Sequence, residues 1–396
     1  MYVPELSSFD PFSLQKLLST CFSLPCGPTK CCVLIDLQNP SEISNLRFLD
    51  NPGNDVQKRA FYHFYEPLNR EIGKELDISL CDLFAFKCTG GSNLDPDNLL
   101  FNIEGEELTF TENVCPNYDL ILAITDYSLT APLTAMAKKY GFRGATLHGL
   151  NDTILNSGLS IDYKLVSRQA ELFRAFLDES DSFTITFECI GKTYQLNIDC
   201  GKQTAQKSHG LCPFGSPDVA NLPAGEVYFV PLGADGSFPF RFGEGTLCEM
   251  VVRNGKITNI EYISGDVELV KSRQLQLNED PATGIIGELG FGTQLLPFAG
   301  CDIQDEKILG TCHIATGRSD HLGGNLTPEL FNSRENASHD DILYAPPKTP
   351  EITVSSVDMH KDGKCTKILE NFVPSAILLD HLEKEYPVEL IGAQKV

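Results

Sequence analysis

Short apolar segments alternate with helical patterns through residues 31–178, and this alternation leaves few folds open to the chain. The predicted strands are residues 31–37, 81–88, 119–125 and 143–148, and the predicted helices are residues 54–76, 129–140 and 162–178. Strands that alternate with helices over short connections form parallel sheets covered by helices. We therefore predict an α/β N-terminal domain with a parallel sheet.

The pattern changes after this stretch, because paired strands replace the alternation of strands and helices. Residues 183–187 and 194–198 flank a Gly191-Lys192 turn, and residues 247–263 contain a second turn at Asn254-Gly255. Short glycine-containing turns between alternating apolar residues indicate β-hairpins, in which the strands are antiparallel. This half of the chain is therefore predicted to be a mixed α+β domain.

A polar stretch at residues 203–208 is predicted to separate the two domains, with the boundary near residue 205. The N-terminal α/β domain would span residues 1–205, and a C-terminal α+β domain that binds metal would span residues 206–396. The other elements predicted in the second domain are a strand at 227–231, a helix at 266–278, a hairpin around Asp362-Gly363 and a helix at 375–385.

The charge of the chain excludes two classes of partner. Lys and Arg number 31 and Asp and Glu number 54, so the formal net charge is −23. This charge would repel nucleic acid and anionic membranes, and no segment approaches the roughly 18 consecutive apolar residues of a membrane span. The N-terminus lacks a secretory signal, and the 14 cysteines are scattered along the chain. We therefore expect a cytoplasmic protein with reduced thiols that binds neither nucleic acid nor membrane.

A set of histidines and acids in the second half has the composition of a metal site. His339 and Asp341 are two positions apart, so on a strand both side chains point to the same face. His313 lies in an apolar setting that suits a strand end, while Glu226 and Glu288 each follow a glycine and precede an apolar residue. A buried carboxylate is costly unless it is paired or bound to metal.

Two histidines and three carboxylates are a ligand set for two divalent ions such as Zn, Co or Mn. Each residue also has an ordinary interpretation when it is taken alone. A single histidine on a strand is usually a core or surface residue, and a Gly-Glu pair is usually a turn with a solvated acid. An acidic chain also brings some carboxylates near histidines by chance, so the residue types alone leave these alternatives open.

Four motifs that contain these residues resemble those of the thermophilic leucyl aminopeptidase family, also called aminopeptidase T. They are N-L-P-A-G-E-V at 221–227, G-E-L-G-F-G at 287–292, K-I-L-G-T-C-H-I-A at 307–315 and S-H-D-D at 338–341. The resemblance extends over roughly residues 115–360, in the order and at about the spacing of the family. It implies a homodimer, and it implies a dinuclear metal centre held by Glu226, Glu288, His313, His339 and Asp341.

The chain departs from the family directly after His313. The family has tyrosines there, one of which is thought to act on the bound substrate, whereas residues 316–324 of this chain contain none. Arg318, Asp320 and His321 are candidates to take over a role in substrate binding or proton transfer. We assign catalytic roles to His321 and to Glu288, the expected bridging carboxylate.

The leading prediction is a metallo-aminopeptidase that hydrolyses the N-terminal peptide bond of short peptides. Two ions about 3.5–4 Å apart would share a water, lower its pKa and polarise the scissile carbonyl. The alternative uses one Fe(II) held by His313, His339 and Asp341, the 2-His-1-carboxylate set of non-haem oxygenases. A ring-opening dioxygenase of dihydroxypyridines resembles the same family in fold. A metal-binding protein without catalysis is the third interpretation.

Overall fold

The computed structural model describes residue 1, residues 3–383 and residue 386, and it shows a mixed α/β protein with several β-sheets. The packing of its Cα atoms divides it into two compact units. The first unit comprises Glu5–Ser167 and His209–Ala224, and the second unit comprises the other described residues. The domain boundary at residue 205 stays a prediction, and the compact units differ from it because residues 209–224 group with the N-terminal part of the chain.

The sheet of the first unit is mixed rather than parallel throughout. In spatial order its seven strands are Val219–Asn221, Arg143–Thr146, Leu120–Ala123, Thr29–Leu37, Ile78–Lys87, Leu99–Asn102 and Glu107–Thr109. The four predicted strands are confirmed, and they run parallel. The predicted parallel sheet is corrected at one edge, where the last two strands run antiparallel. These edge strands have only three or four residues, too few for a pattern of alternation to reveal them.

The helices of the first unit agree with the prediction except in one stretch. Thr130–Tyr140 confirms the helix predicted at 129–140, and it ends at Gly141, whose φ of 90° is a left-handed C-cap conformation. The single helix predicted at 54–76 is instead divided into four segments: Asp55–Ala60, the π-helical turn Phe61–Tyr65, Glu66–Leu68 and Glu71–Glu75. Pro67 lies inside this stretch and cannot donate a backbone hydrogen bond.

This unit also contains two short α-helices and a second π-helical turn. They are the α-helices Leu14–Phe22 and Asp152–Leu155 and the π-helical turn Phe110–Val114. The long helix Tyr163–Leu177 confirms the prediction at 162–178. Along the whole described chain, 3₁₀ helices lie at Leu6–Ser8, Pro40–Asp50, Gly243–Gly245, Pro281–Gly284, Asp320–Leu322, Pro328–Leu330 and Arg334–Asn336.

The second unit contains an antiparallel sheet of eight strands. In spatial order they are Lys256–Ser264, Leu247–Arg253, Gly233–Arg241, Lys192–Asp199, Ser182–Cys189, Ile352–Lys361, Lys364–Glu370 and Val373–Pro374. The three predicted hairpins are all present in this sheet. The first of them turns at Ile190 and Gly191 rather than at Gly191-Lys192, and both turn residues have positive φ angles.

A sheet of five antiparallel strands in the same unit positions the predicted metal ligands. Its strands in spatial order are His339–Tyr344, Cys312–Gly317, Ile286–Gly292, Glu226–Phe229 and Gln206–Ser208. The strand predicted at 227–231 is thus confirmed as the fourth of these. One face is apolar, with Val227, Leu289, Phe291 and Ile314 buried in the core. Successive residues of a strand alternate between faces, so the residues between these apolar ones lie on the opposite face.

The remaining helices of the second unit are Val267–Glu279, Asp302–Asp305 and Ala376–Leu382. The first confirms the helix predicted at 266–278, and the Asp266 side chain caps its N-terminus. The helix predicted at 375–385 is confirmed as far as residue 382, while residues 384 and 385 lie outside the described residues. Among the described helices, none has the length and apolar character required to cross a membrane.

Candidate metal centre

The register of the five-stranded sheet places the five predicted ligands on one face, spread over four adjacent strands. Ala315 is the cross-strand partner of Glu288 on one side and of Asp341 on the other. Gly290 is the partner of His313. Because Ala and Gly occupy the positions between the ligands, the longer ligand side chains have space to converge above the sheet.

Two ligand groups form on this face, and Glu288 belongs to both. In the first group, His313 Nε2 lies 3.4 Å from Glu288 Oε1 and 3.7 Å from Glu226 Oε2. In the second group, His339 Nε2 lies 3.0 Å from Glu288 Oε2 and 3.3 Å from Asp341 Oδ1. The potential ligand atoms of each group all lie within 4.8 Å of one another. The structure therefore brings the five residues together, and their binding of metal stays a prediction.

The cluster is buried, and its charges perturb one another. Burial alone would raise the pKa of Glu288, but hydrogen bonds with His313 and His339 outweigh it and lower this pKa to about 2. Burial alone would lower the pKa of His313, but the hydrogen bond and charge of Glu288 raise it to about 9. The pKa of His339 is raised against burial chiefly by the charge of Asp341. Without metal, the protonated rings of His313 and His339 therefore balance the negative charge of the carboxylates. Bound divalent cations would supply positive charge in their place.

The donor set fits divalent ions of the Zn, Co or Mn type, which accept imidazole nitrogen together with carboxylate oxygen. His339 Nδ1 donates a hydrogen bond of 2.6 Å to the carbonyl oxygen of Arg318. This bond holds the proton on Nδ1, so in the neutral ring the Nε2 lone pair faces the acids, as in many metal-binding histidines. His313 differs, because its buried Nδ1 has no hydrogen-bond partner in the described part of the chain.

We expect Gly290→Ala to disrupt this centre. A Cβ at residue 290 would lie 2.1 Å from the His313 ring, whereas a Cβ at Gly243 would meet no atom within 4 Å. The strand or the ring would have to shift, which should cost about 1–3 kcal/mol of unfolding free energy, as overpacking does, and displace one ligand. Denaturant unfolding and metal content, measured beside the control Gly243→Ala, check this. Equal values for the two variants would contradict it.

A buried lysine that the sequence analysis missed lies next to the first ligand group. The side chain of Lys307 is fully buried, and its Nζ lies 2.7 Å from Glu226 Oε1 and 2.5 Å from Glu306 Oε1. Burial raises the pKa of Glu306 to about 8 in spite of the opposing effect of Lys307. Lys307 begins the motif that contains His313, and Glu306 directly precedes it. The sequence gives no sign of their burial, because adjacent Lys and Glu residues usually lie at the surface.

The three candidates after His313 lie on the side of the second ligand group. The ring of His321 packs edge-on against that of His339, with 5.0 Å between the centroids. Arg318 Nε donates a hydrogen bond of 2.7 Å to Asp320 Oδ1, and the same oxygen lies 3.9 Å from His321 Nδ1. Burial lowers the pKa of His321, which favours its neutral ring. The predicted catalytic histidine is therefore close to the ligands, and its role stays a prediction.

Solvent reaches the cluster at Asp341. Its side chain is 28% exposed, whereas that of each other predicted ligand is at most 9% exposed. A cavity of about 630 Å³ touches Asp341 but lies mainly on the opposite face of its strand, because Asp340 and Ile342 line it together with Arg273. Phe240, Phe242, Met250 and Leu277 are among the apolar residues that line it.

Among the described residues, one other group of possible ligands occurs, in the first unit, and the sequence analysis did not identify it. Asp36, Cys88 and Asp126 each offer a ligand atom, and these atoms lie within 4.8 Å of one another. Asp36 is buried at the end of its strand and accepts hydrogen bonds from Gln57 Nε2 and from the backbone N–H of Asp126. These bonds account for the position of the Asp36 carboxylate, so we assign the group no further role.

Comparison of the chain with models of known protein families found no match, and comparison with curated proteins found none. The resemblance of the four motifs to the aminopeptidase T family therefore stays a prediction from the sequence.

Proposed function

We propose that the protein is a metal-dependent aminopeptidase that uses two divalent ions to hydrolyse the N-terminal peptide bond of short peptides. The observation that supports this best is the position of Glu288, whose two oxygens face two separate ligand groups. A two-metal centre needs a shared ligand of this kind, because both ions must lie close enough to act on one water. The four motifs that resemble the aminopeptidase T family support the same chemistry.

In this proposal Glu226, Glu288 and His313 hold one ion, and Glu288, His339 and Asp341 hold the other. When bound, the ions supply a water of lowered pKa and polarisation of the scissile carbonyl. The negative charge of the chain favours a substrate with a cationic amino terminus. The solvent-exposed side of Asp341 is where we expect the peptide to enter.

We assign proton transfer to His321. Its ring lies beside His339 and is buried, and burial lowers its pKa. At neutral pH this ring is therefore neutral and able to accept a proton, as general base catalysis requires. Asp320, 3.9 Å away, would stabilise the protonated ring that results. His321 thus takes the role that the tyrosines of the family would otherwise fill.

A second candidate function is that of a one-metal centre with Fe(II), and Lys307 is the observation that favours it. The Lys307 ammonium already occupies one oxygen of Glu226, which reduces what Glu226 can offer to an ion. His313, His339 and Asp341 would then form the 2-His-1-carboxylate set of a ring-cleaving dioxygenase. The shared position of Glu288 makes this the weaker candidate.

Short peptides distinguish the two functions. With Zn, Co or Mn supplied, we expect release of the first amino acid from a peptide with an unblocked amino terminus. The N-acetylated form of the same peptide should be inert, because the charged amino group is part of the recognition. Amino acid analysis of the products checks this, together with the number of metal ions per chain. Oxygen consumption with an aromatic diol and Fe(II), without peptide hydrolysis, would support the dioxygenase instead.

A further inference from the structure

The two ligand groups that share Glu288 differ in how well their side chains are preorganised to bind a metal ion. In the group with Asp341, the ring of His339 is fixed by its hydrogen bond to the Arg318 carbonyl. Neither Glu288 nor Asp341 forms an ion pair with a lysine or arginine within the described chain. Both carboxylates therefore remain available, and one imidazole nitrogen already faces them.

The ligand group that contains Glu226 is less well preorganised for metal binding, for two reasons. The ammonium of Lys307 lies 2.7 Å from Glu226 Oε1, so a fixed positive charge stands beside the place where an ion would bind. His313 Nδ1 is buried without a hydrogen-bond partner in the described residues, so no bond determines which ring nitrogen keeps the proton. Partners of this kind typically change metal affinity by about 10–100-fold.

Lys307 also stabilises the fold in the absence of metal. Glu226 and Glu306 are both buried, and two buried carboxylates without a cation would be strongly destabilising. The lysine lies between them, where it forms an ion pair with Glu226 and donates a hydrogen bond to Glu306. The chain therefore supplies one permanent cation that contacts a predicted ligand on this side of the cluster, whereas on the other side the described cation, Arg318, is paired with Asp320 instead of a ligand.

We propose that the two ions bind with unequal affinity, and that Lys307 sets the difference. The subsite of Glu288, His339 and Asp341 fills first and tightly, and the subsite of Glu226, Glu288 and His313 fills second and weakly. The inference rests on the proposed two-metal centre and adds to it which ion is exchangeable. Like charges repel more strongly in a buried site than in water, so the Lys307 ammonium weakens the binding of the adjacent ion.

The test is a Zn²⁺ titration of metal-stripped protein against a competing chelator, which yields the affinity and number of bound ions without an activity assay. For the wild type we expect two classes of site that differ by at least about 100-fold in affinity. Lys307→Met should reduce this difference to about tenfold or less by tightening the weaker site. The matched control is Lys192→Met, which removes an ion pair with the buried Glu249 elsewhere in the unit and should leave the difference unchanged.

Two further variants keep the test valid if Lys307→Met does not fold. Glu226→Gln should abolish the weak class and leave the tight class within about threefold, while Asp341→Asn should weaken the tight class. The opposite pattern would overturn the inference, as would equal affinities in the wild type or a difference that persists unchanged in Lys307→Met.

If two ions bind equally and peptides are cleaved, the proposed function stands and the inference is wrong. If the wild type and Lys307→Met both bind only one ion, the two-metal centre itself is wrong.

Discussion

Replacing Glu288 with alanine should lower the metal content from two ions per chain to nearly none and reduce peptide hydrolysis by at least about 10³-fold. The reason is that Glu288 is the carboxylate common to both ligand groups, with one oxygen facing each. Metal ions contribute several kcal/mol to transition-state stabilisation, and each 1.36 kcal/mol corresponds to a factor of ten in rate. Elemental analysis and the peptide assay, carried out on the same preparation, measure both quantities.

A matched control for this variant is Glu249→Ala. Glu249 is also a buried glutamate, and it forms an ion pair of 2.5 Å with Lys192 on the eight-stranded sheet. Its loss should cost stability but neither metal nor turnover. A Glu288→Ala protein that keeps two ions, or that loses no more activity than Glu249→Ala, would refute the two-metal centre.

The metal-free protein should lose stability as the pH rises from about 6.5 to 9, and bound metal should remove this loss. The pKa of His313 is raised from 6.5 to about 9 in the folded protein, mainly by Glu288, which outweighs the opposing effect of burial. A raised pKa stabilises the fold fully below the unfolded value and no longer does so above the folded value. This shift in the His313 pKa corresponds to about 3 kcal/mol of unfolding free energy.

On the acid side, Glu288 has its pKa lowered to about 2, so its contribution to stability is present above about pH 4.5 and is lost as the pH falls towards 2.

Urea unfolding at pH 6 and pH 9, with and without Zn²⁺, measures this effect. Metal requires the neutral form of each histidine, so the loaded protein should be at least as stable at pH 9 as at pH 6. Glu288→Ala is a useful comparison, because without this carboxylate the His313 pKa falls and the loss of stability in the metal-free protein should shrink. Identical pH profiles with and without metal would contradict the prediction.

Local patterns predicted the long elements of the fold and missed those that depend on tertiary contacts. The apolar segment 31–37 and the Asn254-Gly255 turn have strong local signals, and both elements are present in the structure. The strands Leu99–Asn102 and Val219–Asn221 are short and gain their strand conformation by pairing with neighbours. The helical spacing at 54–76 was correct locally, but it did not reveal where the helix breaks.

The sequence predicted which residues lie together at the candidate site, but it did not predict their geometry. The i, i+2 spacing of His339 and Asp341 predicted that they share a strand face, and they do. Which oxygen of Glu288 faces which histidine depends on the register of four strands, which no local pattern specifies. Lys307 was missed for a related reason, since its burial depends on the acids that surround it rather than on its sequence neighbours.

The spread of the five predicted ligands along the chain would determine when a metal ion can bind. They extend from Glu226 to Asp341, and the last two lie on the strand at the edge of the five-stranded sheet. Zinc fingers have ligands close in sequence, so metal drives their folding, whereas here distant segments must first be brought together at the cost of loop-closure entropy. During synthesis on the ribosome the centre is incomplete until the strand of His339 has emerged and paired. If the proposed centre binds metal, the nascent chain lacks the second ligand group through most of translation, and both ions would bind only after this strand has paired.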